Sequence, residues 1–257
     1  MTSPAPVPPP WRLAVFLLAT AVGVLGLRAV HGLVASWIPV AARPASFMWI
    51  LAGGLLIGHA WTFRLVEPRG WAWIGFGPEA LHPRYIGTGM LLGSGAIAIP
   101  IVALLALGWV RLSPAEAGSS LGAAGAAAAL LVPAALWEEL FVRGYAFAVV
   151  LARWGARRAV LVTSLAFGLL HMLNDGASLQ SVANVTLAGV FLGTVRLRTW
   201  SLYAAWAAHL AWNLVLVVVL HGVVSGLSLP VPDYRLVETG PDWATGGAWG
   251  PECGFFA

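Results

Sequence analysis

An all-α, polytopic transmembrane bundle is the fold class this sequence predicts, and three observations predict it. Of the 257 residues, 60% are hydrophobic and 9% charged, whereas ordinary soluble domains carry about 25% charged residues. Several apolar stretches reach the roughly 20 residues that a helix needs to cross the hydrocarbon core. Trp11, Trp37, Trp61, Trp109, Trp154 and Trp200 fall near the ends of those stretches, where an amphipathic ring settles at headgroup depth. They read as anchors.

In chain order we expect about seven crossings, roughly 12–37, 45–63, 85–108, 119–152, 158–173, 181–196 and 201–224. The first follows a proline-rich start with one arginine, Arg12, and runs too long for the core of a cleaved signal peptide, so we read it as a retained span. Arg28 and His31 lie inside it, three apart on one face. They can snorkel, pair with Glu67 or Glu79, or line a substrate path. The fourth stretch is too long for a simple span. Pro133 within it predicts a kink or a break into two half-helices, giving eight spans if broken, because proline removes a helical hydrogen bond and clashes with the preceding turn. Asn174 and Asp175 follow the fifth stretch as a cap or turn.

Residues 1–118 thus form a set of N-terminal spans, 119–224 a core that carries the chemistry, and 225–257 a polar tail. The tail holds Asp233, Glu238, Asp242 and Glu252 against Arg235 and has no periodicity, so we expect it to be poorly ordered. With the N-terminus inside, Arg12, Arg64, Arg69, Arg84, Arg153, Arg157, Arg158, Arg196 and Arg198 fall inside, and Arg43, Arg111 and Arg235 outside. Cytoplasmic loops are enriched in basic residues, so we expect an integral protein of a bacterial plasma membrane, N-terminus cytoplasmic and tail outside. The net charge of +4 comes without a basic run, which argues against nucleic acid as a partner. One cysteine, Cys253, excludes an internal disulfide and a cysteine metal cluster.

An ionisable group inside a span costs about 2.5–3.5 kcal/mol on insertion scales and calls for a partner or a purpose. The fourth stretch holds Glu138, Glu139 and Arg143 within six residues. Glu139 and Arg143 are four apart, acid before base, and form a structural ion pair supporting the site. Glu138 is rotated about 100° from Glu139 and must find its partner on another helix. His171 ends the next span, and His209 and Asn213 share a face of the last. Counted from the inner arginines, Glu138, His171 and His209 lie at comparable depths of about 15–22 Å, so one polar layer within the bilayer is expected.

A carboxylate, two imidazoles and an amide in one layer suit hydrolysis. Glu138 serves as general base on a water held with His171, and His209 and Asn213 donate to the oxyanion. No cofactor is required. In an alternative version Glu138, His171 and His209 hold zinc with an open position for water. Other protease signatures are missing: there is no His-Glu-x-x-His, Gly93-Ser94-Gly95 lacks a glycine two places before the serine, and no aspartate lies in an expected span.

These residues resemble a known family, the CPBP intramembrane proteases, which group CAAX prenyl endopeptidases with bacteriocin-processing and self-immunity proteins. Its pattern is Glu-Glu-x-x-x-Arg, Phe-x-x-x-His and His-x-x-x-Asn/Asp. Here it is met by Glu138, Glu139 and Arg143, by Phe167 and His171, and by His209 and Asn213. The resemblance covers about 119–215. It implies an endopeptidase acting on a peptide or protein substrate at the lipid bilayer, by a glutamate or a metal mechanism. A prenylated tail, a bacteriocin leader or a membrane-anchor sorting signal would all reach such a site. The alternative from a different class is a non-catalytic membrane protein, either a proton-coupled carrier using Glu138 or a bacteriocin immunity factor that only binds.

Overall fold

The computed structural model describes residues 10–118, 120–229 and 232–255. The proline-rich start at 1–9 and the last two residues of the tail lie outside them. The chain folds into α1 (Trp11–Val34), α2 (Arg43–Leu65), α3 (Gly70–Trp73), α4 (Pro83–Ala106), α5 (Ser120–Arg143), α6 (Tyr145–Leu170), α7 (Leu179–Thr199), α8 (Leu202–Leu214) and, in the tail, α9 (Asp242–Thr245). A π-helical turn, Val215–Val219, extends α8. Proline opens α2 and α4, at the position where its missing N–H is of no consequence. Ser178 and Ser181 form a capping box at α7, and the Ser201 hydroxyl accepts from Ala204 N–H at 3.2 Å to start α8.

α1 pairs with α2, α2 packs on α5, α6 packs on α7, and α8 lies against α4, α5 and α7. The approach of α4 to α8 needs glycine. A Cβ at Gly93 of α4 would strike the Ala208 carbonyl of α8, so the two backbones meet only because it is absent.

Among the described residues, five helical stretches are long and apolar enough to cross a membrane, fewer than the seven or eight expected, though one of them is interrupted at Gly144 and again at Gly155 (φ 80°, ψ 173°). One of the five, Ser120–Leu173, contains both α5 and α6. α7 is not among them; it carries Gln180, Asn184, Arg196 and Arg198. The chain does break in the fourth stretch, but at Gly144 rather than at Pro133. Pro133 sits within a continuous α5; neighbouring helices commonly make such a proline tolerable in lipid. Gly144, with φ −80° and ψ −122°, turns the chain where a Cβ would collide with the Leu140 carbonyl and the His59 ring. His59 seals the break. Its Nδ1 donates to Leu55 O at 2.7 Å and its Nε2 accepts from Tyr145 N–H at 3.2 Å. The depth count for Glu138 assumed an unbroken helix to Arg153, an assumption this turn removes.

The tail also departs from expectation. Tyr234–Glu238 (β2) pairs antiparallel with Val110–Pro114 (β1), Leu112 facing Leu236. Beyond it, the side chain of Gln180 donates to Trp243 O and Cys253 O at 2.7 Å each, and that of Asn184 to Gly254 O at 2.7 Å. Backbone pairing and side-chain amides order the segment, and neither leaves hydrophobic periodicity in the sequence. Trp109 is drawn into the same region, packing on Gly240 and lying 6.1 Å from the Trp243 ring, unlike the other expected anchors, which are exposed.

Candidate active site

Four helices converge on the polar residues picked out in the sequence. Arg143, fully buried at the end of α5, donates from Nη1 to Glu139 Oε1 at 2.9 Å and from Nη2 to the Gly189 carbonyl of α7 at 3.2 Å. Its guanidinium lies 4.2 Å from the Phe167 ring of α6, a cation–π contact strengthened by the absence of water. The expected Glu139–Arg143 ion pair is therefore present and ties α5, α6 and α7 together.

It is not separate from the rest of the cluster. Glu139 Oε1 also accepts from His209 Nδ1 at 3.0 Å. An ionised carboxylate can only accept, so Nδ1 carries the proton. His171 is fixed in the same manner, its Nδ1 donating to the Phe167 carbonyl at 2.9 Å. Both rings then turn Nε2 toward one atom, Glu138 Oε2, at 3.9 Å from His171 and 3.8 Å from His209. Adjacent glutamates on α5 thus address the two nitrogens of one histidine. Glu138 Oε2 has no hydrogen bond among the described residues, and the two gaps are too long for direct bonds yet suit a bridging water.

Asn213, one turn beyond His209, lines a cavity of about 240 Å³ together with His171, His209, Asn184 and an otherwise largely apolar wall. Its amide has no hydrogen bond among the described residues. A smaller cavity of about 80 Å³ is bordered by Glu138, Trp137 and Asn174, and shares Phe167 and His171 with the larger one. Trp212 lines the larger cavity, so both tryptophans flanking the motifs face the site. Arg28 and His31 take no part: His31 meets Ser46 Oγ at 3.0 Å and Arg28 lies 5.8 Å from the Phe47 ring. Asn174 follows a 3₁₀ turn, His171–Leu173, as the expected turn residue.

One wall was not anticipated. Glu252, from the tail, is buried in the larger cavity and accepts from Trp212 Nε1 at 3.2 Å, from the Ser225 hydroxyl at 2.7 Å and from Ser225 N–H. Burial pushes its carboxyl above the ordinary range, while the Ser225 and Trp212 donors and nearby His171 pull against that shift. No spacing in the sequence marks it, since an acid in an acidic, aperiodic tail reads as a solvated group.

Zinc ligands of this type stand about 2.0–2.2 Å from the ion, so a tetrahedral pair of donors is about 3.4 Å apart. Glu138 Oε2 stands wider than that from both imidazoles. Among the described residues no group of three or more His, Cys, Asp or Glu side chains is placed to hold a metal ion. The proposed zinc set does not fit as arranged.

Fold and site together define a helical membrane protein with a carboxylate–imidazole centre buried among its spans. Residues 120–215, which hold every member of that centre, match the family described as type II CAAX prenyl endopeptidase Rce1-like. The match covers that segment alone and supports its likeness to the CPBP/CAAX protease family. No curated protein and no solved structure matches the chain.

Proposed function

We propose that the chain is an intramembrane endopeptidase that hydrolyses a peptide bond of a membrane-associated substrate, prenylated or leader-bearing, with a water activated by glutamate. The observation that carries this is Glu138 Oε2 facing Nε2 of both His171 and His209 with no hydrogen bond of its own. Water held between Glu138 and His171 gives its proton to Glu138, and the resulting hydroxide attacks the scissile carbonyl. The oxyanion accepts from the Asn213 amide and from His209 Nε2, doubly protonated and anchored by Glu139 through Nδ1. Glu138 then passes the proton to the departing amine. Apolar cavity walls keep bulk water out and strengthen each of these contacts.

Membrane placement follows the arginine bias: N-terminus cytoplasmic, tail outside, residues 119–224 as the catalytic core. The carrier and immunity-factor alternatives are not favoured by a match to a peptidase family. Glu138→Gln and His171→Ala should each insert and fold normally and lower the cleavage rate by about 10²–10⁴. Comparing membrane-protein termini between cells holding wild type and Glu138→Gln would find the substrate; undiminished cleavage by either variant defeats the reading.

A further inference from the structure

Glu252 is the single acidic side chain lining the larger cavity among the described residues, and it lies outside the segment matched to the family. Its position is fixed from two sides. The backbone around it is held by the side chains of Gln180 and Asn184 at the start of α7. Its carboxyl group meets strict donors on both oxygens, Ser225 N–H on Oε1 and Trp212 Nε1–H on Oε2, with the Ser225 hydroxyl adding to the first. N–H donors on both oxygens favour the ionised form, against burial, which favours the neutral one. A charge held in a mostly apolar cavity is screened far less than one at a surface.

We infer that Glu252 sets the charge specificity of the site: it excludes substrates that bring a carboxylate into the larger cavity and admits those that continue there as peptide or end in a neutral or basic group. The inference rests on the protease reading above and narrows it. Among membrane-associated peptides, it selects those cut at a bond followed by further chain over those whose free C-terminus would lie in the cavity. Glu252 acts here by direct contact with the occupant, and Trp212 and Ser225 hold it in place.

The test uses the purified full-length protein in detergent and three internally quenched peptides of one apolar sequence, ending in a free carboxylate, an amide or a lysine amide. Wild type should cleave the amide at least about tenfold more efficiently than the carboxylate, chiefly through KM, because like charges brought together in an interface repel strongly. In E252Q that ratio should fall to within about twofold, while E252D should keep it. An unchanged ratio in E252Q overturns the inference. The ranking lysine amide, amide, carboxylate in wild type needs no variant, and its absence also overturns the inference. If wild type cleaves none of the three, the protease reading fails, and binding decides the rest. The rise in unfolding temperature with each peptide should then show the carboxylate binding at least about tenfold more weakly to wild type and equally to E252Q. Equal binding to wild type, or none, overturns the inference.

Discussion

Two glutamates inside the helical bundle are treated in opposite ways by their neighbours. Glu67, just beyond α2, accepts from Arg12 at 3.1 Å, from Arg69 at 2.6 and 2.7 Å, and from the Tyr145 hydroxyl at 3.4 Å. Glu138, near the end of α5, has an oxygen with no hydrogen bond among the described residues and two imidazole nitrogens just out of reach. The first carboxylate has its lone pairs filled and fastens α1, α2 and α6 together. The second is left open where a cavity reaches it. Buried polar groups are normally satisfied, and an exception calls for a ligand or a reaction. An open oxygen beside a cavity separates Glu138 from Glu67 more sharply than burial does, since Glu67 is the more deeply buried of the two; Glu139 Oε2, equally without a partner among the described residues, lines neither cavity.

Glu139 joins the two kinds and is the strongest way to break the distinction. Its single oxygen Oε1 serves both Arg143 and His209. Glu139→Gln should leave Arg143 as an unpaired buried charge, lowering stability by about 3–5 kcal/mol, and should also lose cleavage because His209 is no longer anchored. Denaturation in mixed micelles alongside a cleavage assay checks both. A Glu139→Gln protein as stable as wild type would show that the ion pair is not structural, and one with full activity would detach it from the site. Glu138→Gln, by contrast, should remain within about 0.5 kcal/mol of wild type.

A smaller effect is expected at Glu67. Its partners Arg12 and Arg69 keep side-chain exposures of 25% and 21%, so each can swing toward water when its acceptor is lost. Glu67→Gln should therefore lower stability by about 1–3 kcal/mol and leave the turnover of the folded fraction unchanged. A drop in turnover without a change in denaturation midpoint would mean that the filled cluster is coupled to the reaction after all.

How much of this was legible beforehand follows the same division. Glu138, Glu139, Arg143, His171, His209 and Asn213 stand out because charge and imidazole are costly in apolar helices, and the structure brings them together. Their angular separation on an ideal helix suggested that Glu138 and Glu139 served different partners. His209 instead takes one on each ring nitrogen, an arrangement that one helix considered alone cannot show. The break lies at Gly144 and not at Pro133, a place the sequence does not display because the His59 ring that receives the freed Tyr145 N–H comes from a distant helix. Glu252 was missed for a similar reason: its burial depends on the side-chain amides of Gln180 and Asn184, far away in the chain, and on no local pattern.

The finest distinction lies between Glu67 and Glu252, both with their lone pairs occupied but by different donors. Burial raises the Glu67 carboxyl, but Arg69 and Arg12 outweigh it and hold it below the ordinary value of 4.5. Glu252 has neutral partners in Ser225 and Trp212, and burial leaves it above 4.5. The signs then oppose. A depressed carboxyl contributes stability that is present above its unfolded value and lost as pH falls through its folded value; a raised one contributes stability that is present below its unfolded value and lost as pH rises through its folded value. Glu67→Gln should therefore flatten the loss of stability on the acid side of 4.5, and Glu252→Gln should flatten a loss that sets in as pH climbs above 4.5. The two changes should be opposite in sign, read from denaturation midpoints of the two variants and wild type across that range. Slopes altered in the same direction by both substitutions would show that the arginines around Glu67 do not outweigh its burial, and the contrast between a charge-paired and a dipole-held glutamate would fall.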